Sequence, residues 1–182
     1  SANGANYMIS NGVLEELTAE SVPVGNTPDG KNINEGVGST QLQSIINLIQ
    51  EEKCDVGLSF DGDGDRILVV DHDGTVIDGD ELIYILAVYL KQEGRLKKDT
   101  VVLTKMSNLG IIKAFERQGI SVEIVNVGDK YVLERIIEKD LSLGGENSGH
   151  IILKDFLNTG DGLLVGCYLL KILEETKKTL KE

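Results

Sequence analysis

The sequence predicts an α/β fold whose sheets are covered by helices on both faces, and three observations lead there. From residue 40 onward, short apolar runs of strand length alternate with helical patterns of about 10–15 residues, the order of strands linked by covering helices. The 21 glycines stand at the ends of those runs, where turns and ligand loops lie, and do not cluster with serine as in flexible linkers. The 182 residues suit one or two domains at roughly 150 residues each. The turn near residue 75 is the expected boundary, dividing the chain into 1–75 and 76–182.

Residues 40–53 read as an amphipathic helix, because Leu42, Ile45, Ile46 and Ile49 fall at i, i+3, i+4 and i+7, with Ser39 or Thr40 as cap. Residues 56–60 form a short buried-strand candidate and 67–70 a second, separated by an acidic loop at 61–66. His72-Asp73-Gly74-Thr75 is a turn. Asp78, Asp80 and Glu81 open a long helix to Gln92, their charges at its positive end. The alternation then repeats: strand 100–104, helix 108–118 ended by Gly119, strand 121–125, and helix 129–139 with an acidic start. A glycine-rich loop leads into a short strand at 151–153, and a helix follows at 161–178.

Composition excludes several classes. Apolar residues make up 41% and charged residues 26%, ordinary for a globular protein and unlike collagen, coiled coils or disordered chains. The 18 basic against 30 acidic residues give a net charge of −12, which repels nucleic acid phosphates and anionic lipid headgroups, and no basic patch offsets it. The expectation is therefore no nucleic-acid partner and no membrane. The longest apolar stretch, 163–173, is broken by Gly166 and Lys171 and falls short of the ~18 residues of a span. Cys54 and Cys167 are too few for a disulfide framework, which fits a reducing cytoplasm. The first residues carry neither a signal peptide nor an initiator Met, so a piece of a longer chain is expected.

Asp61-Gly62-Asp63-Gly64-Asp65-Arg66 is the most informative segment. Three anions this close repel one another, and a cation is the natural remedy. The glycines let the backbone bend so that Asp61, Asp63 and Asp65 converge, and all-oxygen ligation points to Mg²⁺ or Ca²⁺ rather than Zn²⁺. Arg66 is placed to grip a phosphate beside the metal. An EF-hand fails, because its glycine and glutamate positions hold Arg66 and His72. A solvated acidic turn and a non-catalytic metal-binding module are the plainer readings. The run Phe60-Asp61-Gly62-Asp63-Gly64 also resembles the first motif of haloacid-dehalogenase phosphatases, with Asp61 as nucleophile and Asp63 as acid/base. Against that, Asp65 stands where that family has Thr or Val, and no paired-Asp motif follows, since Gly160-Asp161 lacks a second Asp nearby.

Gly144-Gly145-Glu146-Asn147-Ser148-Gly149-His150 packs a carboxylate, an amide, a hydroxyl and an imidazole between glycines. Such a loop suits a polyol, whose hydroxyls donate to the carboxylate, and His150 could shuttle a proton near neutral pH. A polar turn is the bland alternative. Together the two loops resemble those of the α-D-phosphohexomutase superfamily, in particular its bacterial glucosamine-phosphate branch. Further matching segments are Ala2-Asn3-Gly4-Ala5, Asn32-Ile33-Asn34, Gly36-Val37-Gly38-Ser39-Thr40, Met106-Ser107-Asn108-Leu109-Gly110, Val127-Gly128-Asp129-Lys130-Tyr131-Val132 and Thr159-Gly160-Asp161-Gly162.

The resemblance implies two consecutive α/β domains with mixed sheets flanked by helices, the second and third of four. It implies Asp61, Asp63 and Asp65 as Mg²⁺ ligands, with Arg66 beside the metal. Glu146 and Ser148 would bind sugar hydroxyls, and His150 would move a proton at the reacting hydroxyl. Lys130 stands at a substrate position where the branch usually has Arg, and it lacks Arg's planar two-pronged contact. The implied reaction interconverts glucosamine 6-phosphate and glucosamine 1-phosphate through a phosphoserine and a 1,6-bisphosphate, in cytoplasmic amino-sugar metabolism that feeds cell-wall precursors. The family's phosphoserine loop (Thr-Ala-Ser-His-Asn-Pro) and phosphate-clamping loop (Arg-x-Ser-Gly-Thr-Glu-Pro) are not in this sequence. The expected partners are therefore a phosphosugar and the missing domains of a parent chain. The piece alone is expected to be inactive, and the cut is expected to leave a sheet edge open to self-association.

Overall fold

The computed structural model describes residues 1–17 and 19–181. After a short 3₁₀ turn at Ala5–Tyr7 come helix α1 (Ser10–Glu16) and helix α2 (Gln43–Glu52). Strands β1 (Val56–Phe60), β2 (Ile67–Asp71) and β3 (Val76–Ile77) follow, then helix α3 (Gly79–Gln92), strand β4 (Thr100–Thr104) and helix α4 (Leu109–Arg117). Strand β5 (Ser121–Val125), helix α5 (Asp129–Lys139), strands β6 (Leu143–Gly145) and β7 (Ile151–Leu153) and helix α6 (Gly162–Thr176) complete the chain. These elements gather into two compact units. The first holds residues up to Ile77 together with α6 and the segment after it; the second is Asp78–Asp161.

In the first unit β1, β2 and β3 form an antiparallel sheet in sequence order. Successive strand residues point to opposite faces, and the neighbours of β1 show what covers each. A Cβ on Gly57 would meet Ile45 and Ile49 of α2, whereas Leu58 and Ile67 lie against Gly166 of α6. The sheet is thus sandwiched by α2 and α6, as the α/β reading predicts. Its core includes Ile49, Phe60, Ile67, Val69, Val165 and Leu169, all buried.

In the second unit the strand order is β5-β4-β6-β7. β4 runs parallel to both β5 and β6, and β7 runs antiparallel to β6, so this sheet is mixed. Gly144 and Gly145 face opposite sides: a Cβ on the first would lie 3.0 Å from Ile136 of α5, and one on the second 3.0 Å from Ile83 of α3. On the α5 face Val102, Val125, Val132, Ile136, Leu141 and Ile152 form one cluster. α4 packs beside α3, where the Tyr84 and Phe115 rings lie 5.3 Å apart.

Several boundaries differ from the sequence reading for local reasons. α2 starts at Gln43 without a side-chain cap, because Ser39 donates its amide to the Phe60 carbonyl and Gln41 bonds back to Gly38, which holds 38–41 in a turn. The glycine-rich loop is shorter than expected, because Gly144 and Gly145 belong to β6 and pair with β7. α1 and β3 are additional elements.

Candidate active site

The acidic loop leaves β1 at Phe60 and re-enters the sheet at Ile67, so two paired strand ends fix both its ends. Gly64 has φ of +79°, a conformation open to glycine at little cost, and it turns the backbone between Asp63 and Asp65. Asp61 braces the turn from inside, its Oδ1 accepting the amides of Gly64 and Arg66 at 3.2 Å each. One oxygen each from Asp61, Asp63 and Asp65 can lie within 4.8 Å of the others. The structure therefore brings together the three carboxylates that the sequence singles out. The half-exposed Arg66 stands beside them, its Nε 3.7 Å from Asp61 and 3.8 Å from Asp65.

The electrostatics match a cation site. Burial pushes the Asp61 carboxyl up to about 6, the Arg66 amide pulls it back, and the charges of Asp65 and Asp63 push it further up. A dication relieves this strain. Octahedral Mg²⁺ holds oxygens at about 2.1 Å, so adjacent ligands sit about 3 Å apart. The three oxygens lie within 4.8 Å of one another, and the all-carboxylate donor set suits a hard ion. The residues fit Mg²⁺.

The loop rests on segments distant in sequence. Ala5 donates its amide to the Gly62 carbonyl at 2.8 Å, and a Cβ on Gly4 would lie 2.0 Å from that oxygen. Asn34 and Ile33 crowd Gly62 from another side, and the buried Asn6 carboxamide lies against Gly64. From α6, the Gly162 amide donates to the Gly64 carbonyl at 2.9 Å. Nothing in the sequence assigns these residues to the loop. Asn6 apart, they lie in segments that stand out only as matches to the family, and nothing local to them signals the contact.

In the second unit the residues after β6 form a tight connection to β7. Glu146 donates its amide to the His150 carbonyl and accepts from the Gly149 amide, both at 3.0 Å. The Glu146 carboxylate accepts the Gly128 amide at 2.8 Å, which ties this loop to the head of α5. Lys130, in the first turn of α5, is exposed, with Nζ 3.8 Å from Glu134. Ser148 is half-buried. His150 is only 4% exposed, and its ring packs on the bare Cα of Gly160, where a Cβ would lie 2.5 Å from Cε1.

The head of α3 supports both neighbouring loops. Gly79 donates its amide to the Asn147 carbonyl at 3.0 Å, and the buried Asp80 accepts the Asn108 amide at 2.7 Å. Burial raises the Asp80 carboxyl above its ordinary range, against the pull of that bond.

Comparison with known proteins places this architecture. The profile for phosphoglucomutase/phosphomannomutase, alpha/beta/alpha domain II, matches residues 1–74, and the one for alpha/beta/alpha domain III matches 78–182. The chain belongs to the phosphoglucomutase/phosphomannomutase family. Family and fold agree with what the two loops imply. The family division assigns α6 to domain III, whereas by packing α6 sits on the sheet of the first unit.

A phosphoglucosamine mutase of Caldicellulosiruptor saccharolyticus is 49% identical over 181 residues, which is 100% of this chain and 40% of that protein. The chain thus spans about two fifths of the length of such curated relatives. Among solved structures, a putative phosphomannomutase from Thermus thermophilus superposes with a TM-score of 0.86 at 26% identity, over 100% of this chain and 42% of that one. An Aspergillus fumigatus N-acetylphosphoglucosamine mutase, solved with GlcNAc-6P and magnesium, shares the fold with a TM-score of 0.66 at 19% identity, over 87% of this chain and 41% of that one. No helix of the described residues is long and apolar enough to cross a membrane.

Proposed function

We propose that the chain is the central part of a phosphosugar mutase that interconverts glucosamine 6-phosphate and glucosamine 1-phosphate by way of a phosphoserine and a 1,6-bisphosphate. The observation that carries this reading is the convergence of Asp61, Asp63 and Asp65 beside Arg66, in a chain 49% identical to a phosphoglucosamine mutase. In this reading the three aspartates hold Mg²⁺, which when bound offsets charge on a transferring phosphoryl group. Arg66, half-exposed and anchored only at ion-pair distance, is free to swing its guanidinium onto phosphate oxygens. Glu146 and Ser148 accept and donate hydrogen bonds at the sugar hydroxyls. His150 holds or releases a proton at the reacting hydroxyl. Lys130 offers a point charge to a substrate phosphate.

The same reading divides the chain near residue 75 and places it in the cytoplasm, in amino-sugar metabolism. The phosphoserine lies on a part of the parent that this sequence does not contain, so the chain alone turns over no substrate. β1, at one end of the first sheet among the described residues, offers a route to self-association in this reading.

A titration separates this reading from a purely structural metal site. Mg²⁺ binding to the chain should be weak and should tighten when glucosamine 1,6-bisphosphate is present, because the ion keeps open positions for phosphate. A chelator that strongly lowers the melting temperature, with no effect of the bisphosphate on Mg²⁺ affinity, would instead identify a structural ion. In the parent enzyme, Asp63→Asn should abolish formation of the 1-phosphate followed by ³¹P NMR. Wild-type turnover in that variant would refute the assignment.

A further inference from the structure

We propose that Gly162, at the head of α6, is a positioning residue of the Mg²⁺ loop, so that the metal affinity of Asp61, Asp63 and Asp65 is set in part by a helix far downstream. The inference rests on the reading of that trio as a Mg²⁺ site, and it names a residue that supports the site without touching the ion. The Gly162 amide donates to the Gly64 carbonyl at 2.9 Å. A Cβ on Gly162 would lie 2.6 Å from the Arg66 carbonyl oxygen, 3.0 Å from its carbon and 3.1 Å from the Gly64 oxygen, so backbone of the loop comes down onto the bare Cα. Gly64 and Arg66 are also the residues whose amides Asp61 holds. The stretch between and around the ligands is therefore clamped on both sides, by Asp61 from within and by Gly162 from beneath.

The clamp has a rigid base. One turn further along α6, Gly166 lets the helix settle on Leu58 of β1 and Ile67 of β2, the strands that carry the loop. α6 is thereby registered to the sheet, and its first amide to the turn. The helix N-terminus carries partial positive charge, and here it ends on a carbonyl of the acidic loop. Oxygen ligands must reach metal-bonding geometry within a few tenths of an ångström. Hydrogen-bond partners of metal ligands are worth about 10–100-fold in metal affinity when removed, and a clamp on the backbone that carries the ligands acts on the same geometry.

The test is Mg²⁺ binding by calorimetry and Mn²⁺ binding by electron paramagnetic resonance on the 182-residue chain. Wild type, Gly162→Ala and Gly166→Ala are compared, with metal-free melting recorded for each. Gly162→Ala should weaken both metals by about 10–100-fold. Gly166→Ala presses on side-chain ends of Leu58 and Ile67 and not on loop backbone. Those ends need yield only a few tenths of an ångström, so α6 keeps its register on the sheet and metal affinity should stay within about twofold while the melting temperature shifts, a split that a purely structural role for α6 would not produce. Wild-type affinity in Gly162→Ala overturns the proposal while leaving the Mg²⁺ reading intact. Absence of binding by wild type overturns both. If Gly162→Ala does not fold, amide exchange in the wild type decides. By linkage, a helix head that favours the bound metal is itself favoured by it. Mg²⁺ should therefore slow exchange at Gly162, and an unchanged rate overturns the proposal.

Discussion

Replacing Gly79 by alanine should destabilise the second unit and displace the loop that carries Glu146. The added Cβ would sit 2.1 Å from the Glu146 carbonyl oxygen and 2.6 Å from the Gly149 amide nitrogen, against 3.4 Å for an ordinary contact. Both neighbours are backbone, so the loop must retreat by more than an ångström, and the 3.0 Å bond from the Gly79 amide to the Asn147 carbonyl goes with it. Overpacking of this kind costs about 1–3 kcal/mol and the lost hydrogen bond about 1 kcal/mol. Alanine's better helix propensity returns less than about 1 kcal/mol. The net loss is about 2–3 kcal/mol. At roughly 4–8 °C per kcal/mol for a unit of this size, its melting transition should fall by about 10–20 °C. Differential scanning calorimetry reads the shift, with Gly12→Ala as the comparison. Gly12 is in α1 with nothing within 4 Å of its added Cβ, so that variant should be neutral or slightly stabilising. A Gly79→Ala protein that melts with or above wild type would refute the reasoning.

Further predictions concern the acidic loop and a helix cap. The Asp61 carboxyl is raised to about 6 by burial first, then by its charged neighbours, so the metal-free native state holds more protons than the unfolded chain between about pH 4 and pH 6. The stability of the metal-free protein should therefore fall as pH rises through that window. Asp61→Asn should remove that slope, and a slope that persists in the variant would show another group to be responsible. Protons and Mg²⁺ compete for the same carboxylate, so Mg²⁺ affinity measured by calorimetry should drop as pH falls through about 6. Affinity flat from pH 7 to pH 5 would contradict it. Asp78→Ala removes a capping box in which Asp78 accepts the Glu81 amide and Glu81 accepts the Asp78 amide, both at 3.0 Å. A loss of about 1–2 kcal/mol in urea unfolding is expected, and a loss below a few tenths would show that the cap contributes little.

What could be read from the sequence was what is local. β1, β2, β4 and β5 are short segments rich in apolar and β-branched residues, and α2, α3 and α4 have a helical period, so each announces itself within its own span. The acidic trio is legible for the same reason, since ligands, hinges and arginine fall within six consecutive residues. β6 was not, because its Gly144 and Gly145 look like loop. They are glycine because Val102 and Ile136 crowd the first and the backbone of His150 and Ile151 the second, a constraint that exists only once the sheet and helices are assembled. The supports of both loops were hidden likewise. Gly4, Gly79 and Gly162 each meet the backbone of a residue at least 58 positions away, and no pattern within their own segments encodes that partner. His150 reads as a proton carrier by residue type, but its burial beneath Gly160 emerges only from the folded unit.

Crystals grown with MnCl₂ and measured at the manganese absorption edge would test the metal site most directly. The account predicts one strong anomalous peak within bonding distance of a carboxylate oxygen from each of Asp61, Asp63 and Asp65. A map with no peak there, or with the ion held elsewhere on the chain, would contradict it.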